Sequence, residues 1–437
     1  MTTLEMIERL QRQGVELKVR GDRLQCIAPK GVLTEQDRGD LTRHKRKILD
    51  YLRQQNLSAA SSVPVLKPVP RKSDLPLSFA QERLWFLEQL EGDRTVYDMP
   101  AAWRLKGNQD VEALRRALET IVARHEPLRT VIRSRDGESF LVIRQGERFE
   151  LPVCNLNKIP GGARESEVAR LVREEARRPF DLENDLMLRA RLLRLSGEEH
   201  VLLMTQHHIA SVGWSQQILW KELQLLYGAF ERGESSPLPG LPSNYSEYTQ
   251  WQRNQLQGVT RERLLTYWRK QLEELTPLEL SADRPRLPRP SYRGAQQLTR
   301  LDRSLVDRLR KLGAVSGATL HMTMLAAFQV LLARCSGQED IAVGIPIASR
   351  PATAFEPLIG LFVNTLVLRG DLSGEPTFNE FLKRVRTTSV AAYEHQELPF
   401  EMLVQELQPE RHPSRNPLFQ VLFNMWEDIA GDQSHLS

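Results

Sequence analysis

Two adjacent histidines, His207 and His208, close the apolar run VLLMTQ (201–206), and Gly213-Trp214 follows within QHHIASVGWS. Neighbouring residues on a strand face opposite ways, so only one of these rings can enter a given cavity. That geometry disfavours a shared metal and favours a division of labour, with one imidazole for proton or hydrogen-bond chemistry and the other as a brace. Gly213 allows a tight turn, and Ser215 is placed to cap the helix that follows. No acid within the stretch orients either ring, and Val212 stands where one is expected. Three readings stay open on these residues alone: an acyl-transfer site, a site that has lost a part, and a pair of core histidines.

Other chemistries find less support. The phosphate loop GxxxxGK[ST] and the nucleophile elbow GxSxG are both missing from the sequence. Cys154 and Cys335 have no histidine beside them and read as small buried apolar residues; His321 reads as a core histidine. With Cys26, the three cysteines are odd in number and far apart, as expected of reduced thiols in a cytoplasmic protein. The whole net charge of +4 lies in residues 1–55, with 12 Lys/Arg against 8 Asp/Glu. No basic stripe interleaved with aromatics accompanies it, so nucleic acid is not an expected partner. The most apolar stretch, MTMLAAFQVLLA (322–333), is too short to span a bilayer and reads as a buried helix.

The elements that must position the histidines follow from periodicity. Residues 56–75, with three prolines and no apolar period, read as a linker. Ahead of it, Leu4, Ile7 and Leu10 fit a short helix, VELKVR and RLQCIA alternate around Gly21-Asp22 as a hairpin, and a last helix runs from Thr42. A unit this small (1–55) suits binding better than catalysis. Beyond the linker, Asp110 is placed to cap a helix with Leu114, Ala117, Leu118, Ile121 and Val122 on one face. TVIR and FLVIR form a hairpin, LRARLL and VLLMTQ are strands, and a helix spans about Ser215 to Phe230. After a break at 233–243 the theme repeats: helices at 304–313 and 320–334, strands DIAVGIPI and LFVNTLVLR, and a helix from Thr377. Two α/β halves, 76–240 and 241–437, predict a pseudo-dimer with a ligand-binding cleft between them.

Taken together, residues 76–437 resemble the condensation domain of nonribosomal peptide synthetases. The likeness runs through SFAQERLWFL (78–87), RHEPLRT (124–130), HHIASVG (207–213), YSEYTQWQ (245–252), IGLFVNTLVLR (359–369), HQELPFEMLVQEL (395–407) and SRNPLFQVLFN (414–424), in the family's order. The opening motif is similar to that of the LCL subgroup, which joins an L-configured donor to an L-configured acceptor. Residues 1–55 resemble a TubC-type N-terminal docking domain, which captures the C-terminal tail of an upstream subunit; the alternative is an autonomous small domain without a partner. The fold implied is α/β (α+β), a two-lobed, V-shaped pseudo-dimer of the chloramphenicol-acetyltransferase type with a tunnel between its lobes.

The resemblance implies attack of an acceptor amine on a donor thioester. Upstream and downstream carrier proteins bring both groups on phosphopantetheine arms, and the chain itself holds no cofactor and no metal. His208 is then the ring facing the tunnel, His207 the brace, and the Gly213 amide a charge stabiliser; Trp214 and Asn364 are structural or tunnel-lining. Val212 departs from the family's His-His-x-x-x-Asp-Gly. The missing aspartate is expected to pair with an arginine, Arg129 or Arg293, so impaired or lost activity is expected. The resemblance also implies a second lobe cut short at its end. Alternatives are a silent platform for carrier proteins and upstream tail, and an ester-forming acyltransferase of the same fold. Heterocyclisation is disfavoured because that branch has aspartates where His207 and His208 stand, and epimerisation because IGLFVNTLV is condensation-like.

Overall fold

The structure, a computed structural model, describes residues 16–20, 23–27, 69–70, 74–90, 95–284, 287, 294–409 and 414–425. The chain divides into two units, Met1–Leu66 and Lys67–Ser437. In the first, strands β1 (Glu16–Arg20) and β2 (Arg23–Ile27) pair antiparallel, with Leu17 opposite Cys26 and Val19 opposite Leu24. The helices expected near Leu4–Leu10 and from Thr42, and the Gly21-Asp22 turn, lie outside the described residues.

The second unit holds two large cores. Around the first are α1 (Phe79–Leu90), β3 (Asp98–Lys106), α2 (Val111–Arg124), β4 (Thr130–Arg135), β5 (Glu138–Ile143), β6 (Val153–Asn155), α3 (Gly161–Ala176), β7 (Leu188–Arg194), β8 (Glu199–His207) and α4 (Gly213–Glu231). Asp110 caps α2 by accepting from the amides of Glu112 and Ala113, and the five predicted apolar residues of that helix are all buried. Asp136 and Gly137, both at positive φ, turn β4 into β5; a two-residue hairpin turn of this hand needs left-handed backbone at both positions, which Gly adopts freely and Asp tolerates. The main sheet runs β3-β8-β7-β6. Its central strand β8 is covered on both faces, Leu202 and Met204 facing the main core and Val201 and Leu203 a smaller one under α3. Double coverage is why this strand reads as a continuous apolar run.

Around the second core lie α5 (Tyr245–Gln255), α6 (Gly258–Gln271), α7 (Arg303–Val315), α8 (Leu320–Ser336), β9 (Asp340–Ala348), β10 (Val363–Asp371), α9 (Phe378–Glu394) and α10 (Phe400–Leu407). The antiparallel β9–β10 pair is extended by a bridge from Gly344 to Leu422. A Thr377–Glu380 capping box starts α9. The lobes exchange anchors: Phe79 of α1 packs on the second core, while Ile359, from second-lobe sequence, is buried in the first.

Several expectations are corrected. Leu75, placed in the linker, is buried and pairs with Leu141. Cys335 is exposed near the end of α8, and Cys154 is half-buried in the edge strand β6. Among the described residues no single helix is long and apolar enough to cross a membrane.

Candidate functional site

The end of β8 separates the two histidines. His207 is fully buried; its Nδ1 accepts from the Ile209 amide at 3.1 Å, which holds the 3-10 turn His208–Ala210. A backbone amide only donates, so the proton of the neutral His207 ring is on Nε2. Glu88 of α1, buried, places Oε2 3.9 Å from that nitrogen. At that distance the acid neighbours the ring without a hydrogen bond, and Nε2 is buried with no hydrogen-bond partner. Phe180 and Tyr97 meet the ring edge-on. Burial, then the nearby His208 and Arg189, pushes the His207 pKa down to about 3.

His208 is half-buried, its amide bonded to the Tyr97 carbonyl at 2.9 Å. Burial holds its imidazole below the usual histidine value, so it is neutral at pH 7. It lines a chamber of about 320 Å³ between the lobes, with Tyr97 and Leu84 on one side and Leu361, Asn364 and Phe419 on the other. An apolar vestibule of about 690 Å³ between α1 and α10 adjoins it, lined by Phe79, Phe86, Leu90, Phe400 and Val404. Chamber and vestibule share Arg83, Leu87, Glu401 and Asn416, so they adjoin through these side chains. Arg83 Nη1 and Glu401 Oε1 lie 3.4 Å apart across this junction. Burial raises the Glu401 pKa, and Arg83 opposes the shift.

Asn364 lines the chamber, yet its amide is committed to the backbone. Nδ2 donates to the carbonyls of Gln396 and Leu398 at 2.8 and 2.7 Å, and Oδ1 accepts from the Phe400 amide at 2.9 Å. Its work is to seat the start of α10, and with it Glu401.

The loop that follows differs from expectation. Helix α4 begins at Gly213 with Val212 as its N-cap, and no side chain caps it. Ser215 lies inside the first turn, buried; its Oγ donates to the Gly360 carbonyl at 2.9 Å and faces the Gly360 amide at 3.2 Å. Gly213 and Trp214 are not among the described residues lining the chamber, and Trp214 is exposed. Arg129 donates elsewhere, from Nε to the Ala123 carbonyl at 3.2 Å and from Nη1 to the Arg144 carbonyl at 2.7 Å. Arg293 lies outside the described residues.

The arginine that does reach the loop is Arg350, just past β9. Its Nη2 donates to Ser215 Oγ at 3.1 Å, Nη1 donates to the Phe355 carbonyl, and the guanidinium lies over the Phe362 ring at 4.0 Å. Its Nε is buried without a partner, and no described carboxylate lies within ion-pair distance. Burial pulls its pKa down to about 10, so it remains charged at neutral pH. Sequence reasoning missed Arg350, Glu88 and the Ser215–Gly360 contact. A lone arginine ending the apolar strand IAVGIPIASR was the available signal for the first.

No group of three or more metal-binding side chains occurs among the described residues. The arrangement can hold a neutral base in a mostly apolar, two-lobed passage, and bind an arm that enters past α1 and α10.

Comparison with known proteins identifies the families. The Condensation domain family matches residues 71–436 and the TubC N-terminal docking domain family residues 4–54. Chondramide synthase of Chondromyces crocatus is 44% identical over 359 residues, 82% of this chain and 9% of that protein. Malpibaldin synthetase of Mortierella alpina is 43% identical over 365 residues, 83% and 7% respectively. The chain therefore spans under a tenth of the length of these relatives. The crystal structure of the X-domain from teicoplanin biosynthesis superposes with a TM-score of 0.75 at 30% identity, covering 82% of this chain and 79% of that one. Over residues 71–436 the chain belongs to the condensation-domain family of nonribosomal peptide synthetases, and over residues 4–54 to the TubC-type docking-domain family.

Proposed function

We propose that this chain forms an amide between an aminoacyl or peptidyl thioester on an upstream carrier protein and the amine of an aminoacyl group on a downstream carrier. The docking unit receives the C-terminal tail of a preceding synthetase polypeptide, and its basic balance favours an acidic one. The observation that carries the reading is His208 lining an inter-lobe chamber that adjoins an apolar vestibule. An α-amine titrates near 8, so roughly a tenth is already neutral at pH 7. Holding amine and thioester together supplies about 7–11 kcal/mol, against about 3–5 kcal/mol from a positioned base. Positioning dominates. His208 accepts a hydrogen bond from the attacking amine and takes its proton as the tetrahedral adduct forms. Collapse of the adduct breaks the C–S bond, and the proton goes to the departing thiolate of the donor arm, leaving amide, free thiol and neutral His208.

A second reading is supported by Arg350. Among the described residues its charge has no carboxylate partner where Val212 replaces the motif's aspartate, which favours a chain that binds carriers but condenses slowly or not at all. Mixing the chain with loaded donor and acceptor carriers and seeking dipeptidyl product by mass spectrometry separates the two. Product above a no-enzyme control supports condensation; carrier binding without product supports the platform.

A further inference from the structure

The RHEPLRT stretch takes no part in the chamber wall, yet its His125 is buried with both ring nitrogens in use. Nδ1 lies 3.2 Å from the Ile359 amide, which only donates, so Nδ1 is unprotonated. The hydrogen is then on Nε2, which donates to Glu222 Oε2 at 2.8 Å. Arg124 Nε holds the other oxygen of that carboxylate at 3.0 Å. One tautomer satisfies both ends at once.

What it grips is a strap of second-lobe sequence laid on the first lobe. Ile359 is buried in the first core, Gly360 is bound through both backbone groups by Ser215, and the Leu361 carbonyl accepts from Tyr245 Oη at 3.0 Å. The approach is close: a Cβ on Gly360 would lie 2.3 Å from the Tyr245 ring. Leu361, at the end of the strap, is a wall of the His208 chamber.

We propose that His125 is a positioning residue, a tautomer-locked clamp that holds the 359–361 strap to α2 and α4 and so sets the Leu361 wall of the chamber. Its effect on turnover rests on the condensation reading; the clamp itself does not.

The two amide side chains dissect it in the full chain. In H125N the Oδ1 atom takes the place of Nδ1 and still accepts from Ile359. In H125Q the carboxamide sits out at the Nε2 position, keeps Glu222 and orphans the Ile359 amide. Residue-resolved hydrogen exchange reads the clamp, and kcat and KM for each carrier read its consequence. H125Q is expected to speed Ile359 exchange by about 10–100-fold, as expected for one buried bond, and to lower kcat about tenfold with KM within about twofold. H125N stays within about threefold of the parent in all three. Equal behaviour of the two variants, or unchanged Ile359 protection in H125Q, overturns the proposal. Imidazole 15N shifts of the unmutated chain give a test that no folding defect can obscure: a neutral ring protonated on Nε2 is expected, and one protonated on Nδ1 overturns the clamp. A chain that forms no amide refutes the proposed reaction, while the exchange contrast still decides the clamp.

Discussion

Arg350 donates to Ser215 Oγ at 3.1 Å, joining the end of β9 in one lobe to the first turn of α4 in the other. That contact sets a charged guanidinium against a neutral hydroxyl. An aspartate at the Val212 N-cap would offer α4 a side-chain acceptor and Arg350 a counter-charge. V212D is therefore expected to stabilise the chain, by about 1 kcal/mol from capping alone. In a double-mutant cycle with R350M the two positions should couple by about 1–3 kcal/mol, R350M being the more damaging in the V212D background. Denaturant midpoints at constant slope measure this.

His207 and His208 should fail differently. H207L leaves the Ile209 amide without an acceptor in a sealed site and is expected to cost about 1–3 kcal/mol of stability. H208A, at a half-buried ring whose Nδ1 has no partner, should cost under about 1 kcal/mol. Its expected loss is in turnover, about a hundred- to ten-thousand-fold.

Acid should weaken the fold through the buried imidazoles. His207 has a folded pKa of about 3, below its unfolded value near 6.5. Between these values the unfolded chain binds the extra proton, so the stability is complete above about pH 6.5 and is lost as pH falls toward 3. His125 and His208 are shifted in the same direction, chiefly by burial. Each fully displaced imidazole adds a slope of about 1.4 kcal/mol per pH unit in its window. Unfolding curves at pH 7, 6, 5 and 4 should show the decline, and H207L should make it shallower.

Gly360 is expected to tolerate no side chain. The Tyr245 ring that a Cβ would meet is buried among Tyr248 and Phe362 and cannot swing away. G360A should cost about 1–3 kcal/mol, read from the denaturant midpoint.

Local features were legible where local physics decides them. Asp110 before an apolar helical face marked the start of α2, Asp136-Gly137 marked a hairpin, and the adjacency of His207 and His208 implied rings in different surroundings. What was not legible joins distant residues. Arg350 meets Ser215 across 135 positions, Glu88 approaches His207 from α1, and His125 holds an amide 234 residues away. No spacing rule reaches that far. Arg129 and Arg293 were the candidates in sequence, and the structure shows Arg129 donating to the carbonyls of Ala123 and Arg144 instead. Ser215 looked like a cap because it is a serine near a helix start; the helix begins two residues earlier.

The central claim is that His208, inside the inter-lobe chamber, handles the proton of the attacking amine. The direct measurement is single-turnover dipeptide formation from loaded carriers by V212D and by V212D combined with H208A. The expected result is measurable product from V212D, above the parent chain, and a rate at least about a hundredfold lower once His208 is removed. Equal rates with and without His208 would contradict the claim.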